Sequence, residues 1–296
     1  MSKKTSATPP RKRAVRIVTD SSSRISPEWA AAHQVTVLPQ YILLGNVTYR
    51  EDVDLHERDL AARAVQVGTP FTVAPPTVDD FLAEYRHLAD TRVDVISLHI
   101  SSVMSPTFKN AIAARDDVSG RCDVHMFDTR TMCAGLHQLV KSAVRMAEAG
   151  LGTEAIVKRL RGESQHIYGI FISDDMPYLK HSKRLRPAQA FFGNMLQIIP
   201  CLSIEEGELV AVEKVRSPER AIEKLAEFAG EFESDAHYAI LQLSPEPNAR
   251  TQELVETLKP ALPKASQIPI QCCGANIGAI IGNRGLGVMI VDKSID

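Results

Sequence analysis

No stretch of the 296-residue sequence approaches the ~20 apolar residues that a membrane-spanning helix needs, so stable insertion is not expected. Neither charge is in excess: 34 Lys+Arg stand against 36 Asp+Glu, a net charge of −2, which argues against a protein that coats nucleic acid. The five cysteines (Cys122, Cys133, Cys201, Cys272 and Cys273) contain no C-x-x-C pair, so neither a zinc site nor a disulfide framework follows from them. A reducing cytoplasm is their simplest setting. Cys272 and Cys273 sit in the apolar run IPIQCC and read as small core residues. Two enzyme signatures are also missing, the G-x-S-x-G elbow and the G-x-x-x-x-G-K-[ST] phosphate loop. His125, His137, His166 and His181 have no partner at metal-ligand spacing, and Asp174-Asp175 reads as a solvated acidic loop. No metal and no cofactor is expected.

What is present is an ordinary globular composition, 44% hydrophobic and 24% charged, which excludes a disordered or fibrous chain. At roughly 100–200 residues per domain, the length suits one large domain or two. One asymmetry stands out. Residues 1–13 (MSKKTSATPPRKR) hold five basic residues and no acid, leaving the rest of the chain with 29 basic against 36 acidic residues. This leader lacks an apolar signal region and reads as a disordered basic tail.

From residue 15 onward, strand-like and helix-like segments alternate. VRIVT is a β-branched run stopped by Asp20-Ser21-Ser22-Ser23, and Ser26-Pro27-Glu28 has the form of a helix start. VTVLP and YILL read as strands, Gly45-Asn46 as a turn, 56–67 as a helix closed by Gly68, and Thr77 as the cap of the next helix. VDVISLHI, DVHMF and HIYGIFIS are further strands separated by helices. QIIPCLSI and ELVAVEKV, joined through Glu205-Glu206-Gly207, predict a hairpin. Ser217-Pro218-Glu219 opens another helix, and IPIQC and GVMIV close the chain as strands. Gly274, Gly278 and Gly282 are expected in turns with close backbone approach. The alternation predicts an α/β protein with a mainly parallel sheet in each half, divided into 14–163 and 164–296.

Ligands of open α/β sheets lie beyond the carboxyl ends of the strands. That directs attention to the loops at 20–24, 70–77, 101–107, 128–131, 173–187 and 272–278. Ser21, Thr72, Ser102 and Ser105 supply hydroxyls there, and Arg184 lies in a basic segment. Converging hydroxyls, a helix N-terminus and an arginine would form a carboxylate or phosphate site. Taken singly, each Ser or Thr also reads as the cap of its own helix or turn.

The order of these loops resembles the DegV family, bacterial fatty-acid-binding proteins that include the FakB subunits of fatty acid kinase. IVTDSSS (17–23) is similar to the family's I-V-T-D-S-[ST] opening, and VLPQYILLGNVTYREDVDL (37–55) to its I-P-L…Y-x-D-x-x-D stretch. Thr72 and Pro75 fall on T-S-Q-P-S, and ISSVMSPTF (100–108) on I-S-S-x-L-S-G-T-Y. FDTRTMCAGL (127–136) answers V-x-D-S-x, and YLKHSKRLRPAQAFFGNMLQIIPCL (178–202) follows the family's Y-L-x-x-G-G-R-I segment. The resemblance spans about residues 15–292.

It implies two α/β domains with a ligand tunnel between them, holding a long-chain fatty acid. The acid's carboxylate would meet the hydroxyls of Thr72 and Ser105, with Ser21 and Ser102 nearby. Arg184 would serve the head-group end and the kinase partner, and Cys272, Gly274 and Asn276 would border the pocket. A separate ATP-dependent kinase subunit would phosphorylate the presented acid, leaving the carrier without catalysis of its own. Several motif positions differ. Val73-Ala74 replace Ser-Gln, Pro106 replaces a glycine, Ser182-Lys183 replace the two glycines before Arg184, and Cys272 occupies the histidine position of H-x-G-P-G. Two other readings follow from the same resemblance: a phosphotransfer enzyme related to dihydroxyacetone kinases, and a diverged regulatory paralogue.

Overall fold

The computed structural model describes residues 13–182, 198–232, 236–244 and 246–292, so most of the basic leader and Arg184 lie outside the described residues. The opening β-branched run forms β1 (Val15–Asp20), and Asp20 caps a single 3-10 turn, Ser21–Ser23. Ser26 accepts from Trp29 N at the head of α1 (Pro27–Ala32). There follow β2 (Thr36–Leu38), β3 (Tyr41–Leu44), β4 (Val47–Arg50), α2 (Glu57–Val67) closed by Gly68, and β5 (Thr72–Ala74). Thr77 and Asp80 cap α3 (Val78–Asp90) reciprocally. Then come β6 (Asp94–His99), α4 (Thr107–Asp117), β7 (Val124–Asp128), α5 (Cys133–Glu148) and α6 (Thr153–Ser164).

The remaining elements are β8 (Ile167–Ile172), α7 (Met176–His181), β9 (Ile199–Glu205), β10 (Glu208–Val215), α8 (Pro218–Ala229), β11 (His237–Gln242), α9 (Ala249–Leu258), β12 (Ile270–Cys272), α10 (Gly274–Ile281) and β13 (Leu286–Val291).

The first half matches the parallel expectation, with the order β2-β1-β6-β7 and every pair parallel. Beside it stands a separate antiparallel sheet, β4-β3-β5, which the strand–helix alternation did not separate. The second sheet, β10-β9-β8-β13-β11-β12, departs from the expectation, because only β11 and β12 pair in parallel. The reason is connectivity. A parallel pair needs a crossover, which α9 supplies between β11 and β12, whereas β9 and β10 are joined by a tight turn. The returning β13 inserts between β8 and β11, antiparallel to both.

Two further expectations are corrected. The loop after β8 contains α7, and the segment with Gly274 and Gly278 is a helix, α10, all of whose residues are buried. Its composition, GANIGAII, is apolar on every side, which suits a helix enclosed by protein. The close approach at Gly278 is by side chains rather than backbone: a Cβ there would lie 2.5 Å from Leu243 Cδ1 and 3.2 Å from Phe71 Cζ.

The main core runs from Ile17, Ile96 and Leu98 through Phe71 and Leu136 to Ile277 and Met289, so both halves contribute to it. The expected boundary at 163/164 falls in the last turn of α6, just before β8, and this core crosses it. The β9–β10 turn adds a second junction. Ser101 Oγ donates to Gly207 O at 2.6 Å, and Arg130 Nη1 meets Glu206 Oε2 at 2.5 Å. Gly207 has φ 83°, and a Cβ there would lie 2.7 Å from Ser101 Oγ and 3.2 Å from Arg130 Cα. Gly207→Ala is therefore expected to lower stability by about 1–3 kcal/mol in urea unfolding. An unchanged midpoint would show that this turn does not bear on the 101–105 loop.

Candidate functional site

The carboxyl ends of β1 and β6 place Asp20 and His99 side by side, both fully buried. Asp20 Oδ2 accepts from His99 Nδ1 at 2.9 Å and from Ile100 N at 3.2 Å. Its Oδ1 accepts from Ser22 N at 3.1 Å, from the Ser22 hydroxyl, and from Gln40 Nε2 at 3.0 Å. Burial alone would raise the Asp20 pKa, but the bonds and charge of His99, with Ser22 and Gln40, hold it below the ordinary carboxylate value. His99 Nε2 lies 2.7 Å from Ser97 Oγ, which lies 2.7 Å from Tyr85 OH. A polar chain thus runs from the carboxyl end of β1 through β6 to Tyr85 on α3.

From Asp20 the network continues toward the motif hydroxyls. Gln40 Nε2 donates to Thr107 Oγ1 at 3.2 Å, and Thr107 Oγ1 lies 2.8 Å from Ser105 Oγ. Asn110 Nδ2 donates to Pro76 O at 2.8 Å, tying α4 to the segment that follows Thr72. Thr72 itself is exposed on β5, opposite Leu43, while Ser105 is buried. The preceding residue, Phe71, is fully buried and packs edge-on against Tyr178 with ring centroids 5.5 Å apart.

A second buried acid joins the halves. Glu51, in the loop after β4, accepts from Ser21 Oγ at 2.5 Å, from Arg24 Nη1 at 3.2 Å and from Ala275 N at 2.6 Å. Arg24 Nη1 also reaches Asp52 Oδ2 at 2.9 Å. Burial raises the Glu51 pKa, and the Arg24 charge opposes that rise. The carboxylate sits at the N-terminus of α10, where the helix dipole favours an anion.

The structure brings Ser21, Ser105, Gly274 and Asn276 to this seam, but it gives them different tasks. Ser21 Oγ donates to Glu51 and accepts from Gln40 N at 2.9 Å, so its hydroxyl is engaged within the protein. Ser102 is exposed and donates to Asp128 Oδ2 at 2.5 Å. Gly274, at φ 73°, passes against the Arg24 side chain. Asn276 is buried in the first turn of α10, and Cys272 donates to Leu243 O at 3.2 Å. Arg184 lies outside the described residues. Thr72 has no hydrogen bond from its hydroxyl among the described residues, and Ser105 Oγ bonds only Thr107, within its own loop.

Sequence reading missed Gln40, Glu51 and His99. Ser97 and His99 were legible in principle, since polar residues at alternate positions of VISLHI must share one side of a buried strand. Gln40 and Glu51 carry no such local signal. Among the described residues no cluster of three or more His, Cys, Asp or Glu can hold a metal, and no helix is long and apolar enough to cross a membrane. A cleft of about 770 Å³ opens elsewhere, lined by Arg145, Arg159, Glu163 and His166, and it includes none of the motif hydroxyls.

Residues 14–293 match the profile described as "Uncharacterised protein, DegV family". A DegV domain-containing protein of Streptomyces coelicolor is 32% identical over 287 residues, covering 95% of this chain and 99% of its own. A solved structure described as DegV, a fatty acid binding protein from Bacillus subtilis, is 27% identical with a TM-score of 0.82, covering 95% of this chain and 100% of its own. Another, described as fatty acid binding of a DegV family protein from Thermus thermophilus, is 25% identical with a TM-score of 0.80 over 94% of this chain and 99% of its own. With the family profile spanning nearly every folded residue and the parallel and mixed sheets arranged as in these structures, the chain belongs to the DegV family.

Proposed function

We propose that this protein is a fatty-acid carrier that holds a long acyl chain in the seam between residues 14–163 and 164–296, with the carboxylate at Thr72 and Ser105. The observation that carries this reading is the fold shared over 95% of the chain with a B. subtilis relative described as fatty acid binding. In this chain that seam sets an apolar helix, α10, beside Phe71, the residue before Thr72. The two ends of such a ligand are bound by different physics. Each buried CH₂ contributes ~0.8 kcal/mol, so a long chain supplies on the order of 10 kcal/mol before association costs. A buried carboxylate is costly unless it is hydrogen-bonded, so the head group fixes orientation rather than affinity.

The carrier has no catalysis of its own in this reading. It presents the carboxylate to a separate ATP-dependent kinase subunit in the cytoplasm, with Arg184 near the head group, a role that rests on the family resemblance alone. His99, the histidine nearest the motif hydroxyls in chain order, is fully buried with both ring nitrogens hydrogen-bonded, which favours a carrier over a phosphohistidine enzyme.

Mass spectrometry of denatured protein purified from cells should reveal a fatty acid. Absence of any such lipid, with failure to take up added oleic acid, would overturn the proposal. Thr72→Ala is expected to weaken oleic acid binding by about 1–3 kcal/mol in a titration. An unchanged Kd would remove Thr72 from the site.

A further inference from the structure

We propose that Asp20 sets the direction of the hydrogen-bonded chain Asp20–Gln40–Thr107–Ser105, so that Ser105 offers its proton, rather than its lone pairs, to the ligand head group. This rests on the fatty-acid reading above, which supplies that head group.

The direction follows from counting donors. Asp20 is enclosed by His99 Nδ1, Ile100 N, Ser22 N, the Ser22 hydroxyl and Gln40 Nε2. A carboxylate accepts and does not donate, so Gln40 must face it with its nitrogen. The turned-over amide would set oxygen against oxygen. The cost of this orientation is visible: Gln40 Oε1 is buried without a hydrogen-bond partner among the described residues. The second Nε2 proton of Gln40 goes to Thr107 Oγ1. Thr107 Oγ1 accepts from Gln40, and the only acceptor within reach of its own proton among the described residues is Ser105 Oγ, 2.8 Å away, so that proton goes to Ser105. Thr107 N also points to Ser105 Oγ, at 3.3 Å. Two donors therefore occupy the Ser105 oxygen, and its proton has no acceptor among the described residues. A ligand carboxylate, an acceptor only, is the chemical complement of that proton.

Neutralising Asp20 should reverse the chain. In Asp20→Asn, the amide oxygen is retained by His99 and Ile100 N, and the amide nitrogen faces Gln40. Gln40 then turns its oxygen toward both neighbours, Thr107 donates to it, and Thr107 accepts the Ser105 proton. Ser105 is left with lone pairs facing the carboxylate. Asp20, Gln40 and Thr107 are accordingly positioning residues, acting on the ligand through Ser105.

The test titrates oleic acid and methyl oleate against the full-length protein, its lipid first removed, and reads the ratio of their affinities, with circular dichroism as a check of folding. Asp20→Asn is expected to weaken oleic acid binding about tenfold while changing methyl oleate less than about twofold. Adding Thr107→Val removes the acceptor that draws the Ser105 proton inward. The double variant D20N/T107V should therefore regain most of the lost acid preference, whereas two merely destabilising changes would compound. Should Asp20→Asn not fold, Gln40→Met takes its place, with a reduced acid preference that Thr107→Val again restores. An acid-to-ester ratio unchanged in the folded single variant, or a loss that Thr107→Val fails to relieve, overturns the inference while leaving fatty-acid binding intact. Wild-type protein that takes up neither probe overturns the carrier reading and this inference with it.

Discussion

Urea unfolding of Glu51→Ala is expected to show a stability loss of about 3–5 kcal/mol, the range for removing one partner from a buried ion pair. Glu51 is 2% exposed and accepts from Ser21 Oγ, Arg24 and Ala275 N. Its removal deprives three buried donors at once. Arg24, whose side chain is 7% exposed, would keep the half-exposed Asp52 but lose its enclosed carboxylate. The N-terminus of α10 would lose the anion it faces. Because Glu51 belongs to the first half and Ala275 to the second, the variant should also open more readily at the seam, seen as faster amide exchange in α10. A loss below about 1 kcal/mol would mean that the Glu51 network is not what holds α10 in place.

Glu51→Gln separates the charge from the hydrogen bonds. Burial raises the folded pKa of Glu51 above its ordinary value of 4.5, with the Arg24 charge opposing. A folded pKa above the unfolded one means that the native state binds the proton more tightly. The proton-linked part of the stability that Glu51 contributes is then fully present below about pH 4.5 and is lost as pH rises through the folded value. Asp20 works in the opposite sense. Its folded pKa is lowered, so its contribution is present above 3.8 and is lost as pH falls through the folded value. Glu51→Gln keeps acceptors for Ala275 N and Arg24 while removing the first slope. It should remain within about 1 kcal/mol of the parent near neutral pH and gain on it as pH rises above 4.5.

How far the sequence could be read follows from the range of the interactions involved. Local signals were sufficient for α1, α3 and α8, since Ser26, Thr77 and Ser217 each cap the helix that begins beside them. The β9–β10 hairpin was equally local, fixed by Glu206-Gly207. The direction of β13 was not, because it depends on a partner more than a hundred residues away, β8. Likewise α10 has too many glycines to announce a helix, and only enclosure by Phe71, Leu243 and their neighbours explains it. For the candidate site, motif order pointed to the loops that carry Ser21, Ser105 and Gly274. It did not reveal that Ser21 is committed to Glu51, or that Ser105 is backed by Gln40 across 65 residues of chain. A spacing pattern names a hydroxyl but does not say where its proton points.

Phe71→Ala is expected to destabilise the fold by about 3–5 kcal/mol and to weaken oleic acid binding together with it. Phe71 is fully buried, packs edge-on against Tyr178, and brings its ring tip to 3.2 Å from the position of a Cβ on Gly278. One aromatic ring thereby joins β5 to α7 and α10. Burial pushes the Tyr178 hydroxyl pKa up to about 12, with the nearby Asp175 charge adding to the rise and a hydrogen bond accepted from the Phe71 backbone opposing it. Truncation leaves a cavity where three elements meet, and a close-packed surround relaxes only partly to fill it. Thr72 follows Phe71 directly on the edge strand, so a loosened β5 also loosens the hydroxyl assigned to the carboxylate. Ligand that binds only the folded form adds stability in proportion to the logarithm of its concentration over Kd. Oleic acid should therefore raise the unfolding midpoint of Phe71→Ala less than that of the parent at equal concentration. If instead the two proteins gain equally, Phe71 holds the core together without shaping the site, and Thr72 is positioned by its pairing with Leu43 alone.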